Sequence, residues 1–331
     1  MSAKYKNVYL QEAATVVGPY EKNGPLSRYF DKKYDDLYCG ADSWEKAEVK
    51  LLQESLNLLL KKKGIKKDKI DLVISGDLLN QITASSYAGS PLNAPFLGIY
   101  SACATSMEAM ILASTFIDSK RKKNVVIATS SHNMSSEKQF RNPTEYGAPK
   151  PMTATFTATG GASLLLSDEK SSIKVESGTI GRIVDYNQTD PFNMGAVMAG
   201  AAADTIYRHL TDMKRDASYY DLILTGDLGK YGKEILKDYM MEEYKIDLSK
   251  NYNDCGVILY DTEKQPQTQA GGSGPVCSAL VNFTMVLDKL KKKELKRVLL
   301  VATGALFSPT FVYQKENILS IAHAISLEAV E

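Results

Sequence analysis

Long apolar runs are missing from this chain. No window approaches the ~18 to 20 apolar residues that a membrane-spanning helix needs, and Met1 to Tyr9 is polar and lysine-bearing, without the apolar centre of a secretory signal. The sequence therefore predicts neither a span nor a signal peptide, and any membrane contact is expected to be peripheral. An excess of charge is missing too. Lys and Arg number 40 against 39 Asp and Glu, a formal charge of +1, which argues against a dedicated nucleic-acid binder with its strongly basic footprint. Cysteine is scarce and scattered. Cys39, Cys103, Cys255 and Cys277 show no C-x-x-C spacing, so reduced thiols are expected rather than disulfides or a zinc site, and no cofactor is implied.

What is present is an internal duplication. Ile70-Asp-Leu-Val-Ile-Ser-Gly-Asp-Leu78 returns as Tyr220-Asp-Leu-Ile-Leu-Thr-Gly-Asp-Leu228. The order that follows also returns. Ser101-Ala-Cys-Ala-Thr-Ser106, an apolar-periodic stretch to Ile117, the basic run Lys120 to Lys123 and Val125 to Thr129 are answered later in the chain. Their counterparts are Gly271-Gly-Ser-Gly-Pro275, a periodic stretch to Leu290, Lys291 to Lys293 and Val298 to Thr303. Two similar halves, residues 1–170 and 171–331, are expected to pack about a pseudo-twofold axis, with sites where their matching loops meet.

With 331 residues, 44% of them hydrophobic, the chain has ample material for one large or two intimate domains. Helical spacing runs from Trp44 to Leu60 and stops at Gly64. Short Val/Leu/Ile runs at Asp71 to Ser75, Val125 to Thr129, Leu222 to Thr225 and Val298 to Thr303 read as buried strands. Strands alternating with helices predict α/β layers with largely parallel sheets. Residues 130–159 interrupt the pattern with His132, Asn133, Arg141, Pro143, Gly147, Pro149 and Pro151. An excursion of that length suits a lid or partner loop. Lysine-rich runs at Lys61 to Lys69, Lys120 to Lys123 and Lys291 to Arg297 close helical segments. They read as solvated helix ends complementing the dipole, with contact to anionic lipid as the alternative.

Cys103 lies among small residues between a strand and a helix, where unpaired N–H groups favour a thiolate or a bound carboxylate. The duplicated βαβαβ halves and the Ser101 to Ser106 turn resemble the thiolase superfamily, which includes the ketoacyl synthases. The resemblance covers nearly the whole chain and implies a layered α-β-α-β-α fold, with Cys103 at the position of the acyl-accepting cysteine. It also implies two partners that are not here. The His expected after the strand Leu222 to Thr225 is replaced by Gly226-Asp227, and the His or Asn expected in the glycine-rich turn is absent from Gly271-Gly272-Ser273-Gly274. His209 and His323 are not placed by motif to substitute. Without such groups a condensing site loses several kcal/mol of transition-state stabilisation, since one oxyanion donor accounts for ~3 to 4 kcal/mol. Condensation is therefore not expected.

Gly76 to Gln81, Ser101 to Ser106, Ser131 to Met134 and Ala270 to Gly274 resemble more closely a sporulation family within that superfamily. Its members are thiolase-like proteins of spore-forming bacteria that work in dipicolinic acid uptake into the developing spore. The resemblance implies a non-catalytic subunit that binds dipicolinate, with or without calcium, through Asp77, Cys103 and His132. It further implies membrane-protein partners from the same sporulation operon, a peripheral place at the forespore membrane, and a homodimer formed through the strand near Leu97 to Tyr100. Asp77 and its twin Asp227 also read as helix N-caps, and His132 as a loop histidine bonded to a carbonyl. Tyr87, Phe96, Tyr100, Phe140 and Tyr146 are candidates to stack on a pyridine ring. Two other functions fit the residues: an acyltransferase or thioesterase using Cys103 with His132 as base, and a structural subunit with a vestigial pocket.

Overall fold

The computed structural model describes residues 2–140 and 150–331. Arg141, Pro143, Tyr146, Gly147 and Pro149 of the expected excursion lie outside the described residues. Ten strands form the body of one 12-stranded sheet. The first five are β1 (Tyr9–Val17), β2 (Leu72–Gly76), β3 (Phe96–Gly98), β4 (Asn124–Ser131) and β5 (Gly160–Ser167). The second five are β6 (Ile173–Thr179), β7 (Leu222–Thr225), β8 (Tyr252–Asp254), β9 (Arg297–Ala305) and β10 (Ser320–Ala329). Spatial order is β3-β2-β4-β5-β1 and then, in mirror sequence, β6-β10-β9-β7-β8. Each set thus repeats the same internal order, and the sets meet where Tyr9 pairs with Lys174.

Pairing is parallel across β3-β2-β4 and β8-β7-β9 but antiparallel across β4-β5-β1 and β9-β10-β6. The sheet is therefore mixed, not largely parallel. The last strand of each set follows a link without a full crossover helix, so the chain returns antiparallel. The strand Tyr252–Asp254 has too few apolar residues for periodicity to reveal it, and the apolar stretch after it is a short helix, Cys255–Leu259.

Side chains alternate across the buried strands. Val125 and Ile127 of β4 face one core while Val126 and Ala128 face another. Val298 and Leu300 of β9 part in the same way from Leu299 and Val301. That two-faced burial requires helices on both sides of each strand set. Helix α1 (Trp44–Lys63), capped by the Ser43 hydroxyl and ended by left-handed Gly64, covers the outer face of the first set. Helices α2 (Thr105–Asp118) and α3 (Asn133–Phe140) follow. Helices α4 (Met194–Met213) and α5 (Gly229–Tyr244) cover the outer face of the second set. Between the sets lie α2 and a late helical run, Pro275 to Lys291, whose middle turn Asn282–Val286 widens to a π-helix.

The duplication reaches single hydrogen bonds. Asp71 Oδ2 accepts from Lys123 N and Asn124 N at 3.0 and 2.8 Å, and Asp221 Oδ2 accepts from Lys296 N and Arg297 N at 2.7 and 2.9 Å. Each carboxylate ties the start of one strand to the start of its parallel neighbour. Asp71→Ala and Asp221→Ala should destabilise by comparable amounts, about 2 kcal/mol each for lost charge-assisted bonds, as read by urea unfolding.

Candidate functional site

Cys103 enters the site on a tight turn at the start of α2. Ala102 before it has φ 48°, a left-handed conformation that costs a non-glycine residue ~1 kcal/mol or more. The turn is held by Thr105, whose hydroxyl donates to the Ala102 carbonyl at 2.7 Å and accepts from Ser101 N at 3.2 Å. Only small residues fit around it. A Cβ on Gly304 would lie 2.4 Å from the Ser101 carbonyl oxygen, and one on Gly76 would lie 2.2 Å from that of Ile99.

The second set brings its own turn to the same point. Ser273 Oγ lies 4.0 Å from Cys103 Sγ and donates to Asp227 Oδ2 at 3.1 Å. The same carboxylate accepts from Gly274 N at 3.1 Å and, through Oδ1, from Thr303 Oγ1 at 2.8 Å. Asp227 is not the helix cap its position suggests. Asp254 takes that work, accepting from Leu228 N, Gly229 N and Val257 N at 2.9, 3.0 and 3.3 Å. Burial raises Asp227 to about 6, and Asp254 adjacent to it adds repulsion. Burial likewise pushes the Cys103 thiol well above its ordinary range, and Asp227 pushes it further. A carboxylate therefore stands where condensing enzymes need an imidazole. It adds to burial in disfavouring the thiolate and, when ionised, offers no proton to an oxyanion.

Cys103 floors a cavity of about 230 Å³, small beside the ~300 to 1,000 Å³ typical of pockets for drug-sized ligands. Its walls are aromatic and thioether-rich, from Tyr100, Phe140, Phe192, Phe307, Tyr313, Met194 and Met198. The excursion supplies one wall through Ser136, Glu137, Phe140, Thr155 and Thr157. Among the described lining residues Glu137, paired with Lys150 at 2.9 Å, is the one acidic or basic side chain.

Of the three expected ligand contacts, Cys103 lines this cavity and Asp77 and His132 do not. Asp77 is fully buried and accepts from Leu79 N and Ser85 N at 2.9 and 2.7 Å, the latter near the start of the helix Thr83–Gly89. His132 is equally buried: Nε2–H donates to the Leu37 carbonyl at 2.7 Å, and Nδ1 accepts from Met134 N at 3.1 Å. Desolvation lowers its pKa and favours the neutral ring. Both side chains brace the loops behind the cavity wall. His209, between Thr179 and Tyr220, and His323, between Ser101 and Gly181, are also buried, and burial lowers each to about 4. None of the three imidazoles lines the cavity. Tyr100 and Phe140 do line it, while Tyr87 and Phe96 do not.

Sequence reasoning missed Asp227 and Ser273 as neighbours of the thiol, although both sit at the positions of the missing partners. It had no signal for Phe192, Phe307 or Tyr313, which arrive from separate segments.

Paired five-strand sets, three helical layers and a cysteine at the head of a central helix define a thiolase-like protein. Solved structures agree. The cerulenin-bound OleA of Xanthomonas campestris is similar with TM-score 0.62 at 14% identity, over 98% of this chain and 97% of that one. The 3-oxoacyl-(acyl carrier protein) synthase III of Xanthomonas oryzae is similar with TM-score 0.59 at 13% identity, over 98% and 99%. The Aquifex aeolicus synthase III gives TM-score 0.57 at 11% identity, over 97% and 99%. Within that class the chain belongs to the Stage V sporulation protein AD (SpoVAD) family, whose model matches residues 3–328. It is 46% identical to Stage V sporulation protein AD of Bacillus subtilis (strain 168), over 97% of this chain and 94% of that protein. The family places the chain in sporulation, on a thiolase-like fold.

Two outcomes follow from this electrostatics. Burial is the larger cause of the suppressed thiolate and persists in Asp227→Asn, but removing the added repulsion should accelerate Cys103 alkylation by iodoacetamide at pH 8 about tenfold. Glu48, buried against the hydroxyls of Ser130 and Ser135, is raised to about 8 by burial and then by Asp77. Its folded value lies above the unfolded one of ~4.3, so the native state holds the extra proton and stability falls as pH rises from about 4 to about 8. In Glu48→Gln that share of the slope should vanish from urea midpoints measured across the interval.

Proposed function

We propose that this protein is a non-catalytic binder of dipicolinate, taken as its calcium chelate, serving an uptake complex at the spore membrane. The observation that carries the reading is the Cys103 cavity, which is small, aromatic-walled and floored by a cysteine beside a buried carboxylate. A flat pyridine ring suits walls of Tyr100, Phe140 and Phe192. Ala104 N and Thr105 N at the head of α2 are already bonded to the Ser101 and Ala102 carbonyls, so the helix favours a carboxylate through its dipole. No Lys, Arg or His is among the described lining residues, which favours a charge-neutral chelate over a bare dianion. Asp77 and His132 serve by fixing the loops that carry Leu78 and Ser136 rather than by touching the ligand.

Membrane-protein partners and a peripheral location belong to the same reading, which fits the lack of any helix among the described residues long and apolar enough to cross a membrane. So does a homodimer. The edge strand β3 leaves Leu97 exposed, with Tyr87 and Tyr100 exposed nearby, an open edge that a second copy would cover.

Calorimetry with dipicolinate should show saturable binding that tightens with equimolar calcium. Cys103→Ala and Tyr100→Ala should each weaken it about tenfold without moving the unfolding midpoint, a loss of roughly 1.4 kcal/mol. His132→Ala should weaken binding and stability together. Absence of saturable heat under both conditions would sink the reading.

A further inference from the structure

The lysine runs are not equivalent once folded. The run Lys61 to Lys69 leads into β2 and the run Lys120 to Lys123 leads into β4. These strands are parallel neighbours with Leu72 beside Val125, so the two runs end side by side. Asn124 Nδ2 donates to the Lys69 carbonyl at 3.1 Å across the junction. Residues 61–71 and 118–123 hold ten Lys or Arg against three Asp. Two of those aspartates face backbone. Asp71 is bonded as described, and Asp118 Oδ1 accepts from Lys6 N and Asn7 N at 2.7 and 3.3 Å. Lys120, Arg121 and Lys123 are exposed, and among the described residues none of them makes an ion pair. Asp168 shares their shallow concavity.

The second half supplies an internal contrast. In the matching run, Lys292 pairs with Asp288 at 2.7 Å, while Arg297 lies 4.2 Å over the Tyr219 ring and donates to its carbonyl at 3.1 Å. Lys291, Lys293 and Lys296 stay exposed there too. In the first half Lys62, Lys63 and Lys67 are engaged with Asp31, Gln11 and the Pro91 carbonyl. The contrast lies in the neighbouring run, since residues 211–221 carry only Lys214 and Arg215, the latter paired with Glu176.

We infer that this basic face docks on an anionic lipid surface. Its cations are lysines with a single arginine, a composition depleted at protein interfaces, whereas headgroups ask for charge without fixed geometry. No large exposed apolar side chain belongs to these segments, so the contact is electrostatic, without insertion, and screened by salt. Helix α2 separates the Cys103 turn from this face by ~21 Å at 1.5 Å per residue, which leaves the cavity mouth at the end away from the lipid. The inference rests on the peripheral location proposed above and not on the identity of the ligand.

The test is co-sedimentation of the full chain with vesicles of phosphatidylglycerol and phosphatidylcholine, against phosphatidylcholine alone, at about 0.1 M and about 0.5 M salt. Binding is expected to the anionic vesicles only, and to disappear at the higher salt. Each basic residue near such a surface contributes about fivefold, so K120Q/R121Q/K123Q should bind about a hundredfold more weakly. K291Q/K293Q, in the matching run, should change binding less than that by at least tenfold. Equal binding to neutral vesicles, insensitivity to salt, a basic-face variant that binds like the parent, or capture by polyglutamate but not by vesicles would each overturn the inference. If the triple variant does not fold, the lipid and salt dependence of the unaltered chain decides the matter. Dipicolinate calorimetry on the same protein reads the cavity separately, so either idea can fail alone.

Discussion

The Asp227 carboxylate is the constraint on which the site depends. It gathers Ser273, Gly274 and Thr303 by hydrogen bonds, all within the second strand set, and holds the Ser273 hydroxyl 4.0 Å from the Cys103 sulfur of the first. Taking a carboxylate out of water is costly unless donors replace the lost hydration. Asp227 has them, yet burial still raises it to about 6. Burial disfavours the thiolate at the neighbouring Cys103, and the same charge adds to that effect. A single residue therefore both orders the second set's turn and makes the sulfur beside it less nucleophilic.

This explains how a cysteine can be retained without its chemistry. Acyl transfer needs a thiolate and donors aimed at an oxyanion. The geometry here instead gives a neutral thiol, a serine hydroxyl turned toward a carboxylate, and three imidazoles committed to structural bonds behind the cavity. What is left is a small, aromatic-walled chamber with Cys103 at its floor.

Asp77 and Asp227 show how duplication diverges. Both follow Gly at the end of equivalent strands, and both are buried. Asp77 accepts from the backbone of the segment that follows it, so its reading as a cap was close to the mark. Asp227 is released from that duty because Asp254, on the neighbouring strand, takes the cap instead. A sequence motif fixes the position of a carboxylate on its own strand; the donors it meets come from residues far along the chain.

The repeated phrases, the Val-rich runs and the small-residue turns were enough to read the layered fold, the paired halves and the place of Cys103. These features are local: alternation, helical spacing and glycine positions report on backbone and burial directly. The mixed pairing of the sheet was not legible, because strand direction depends on which elements a link must cross. Nor was the cavity, whose aromatic walls come from four separate stretches. The direction in which His132 and Asp77 point was decided by the Leu37 carbonyl and the Ser85 amide, groups that any residue type supplies. Composition left the basic runs looking alike, and only folding set two of them side by side. Sequence determined the architecture through local periodicity; tertiary structure chose which polar groups face the cavity, since each buried donor or acceptor must find a partner wherever the chain brings one.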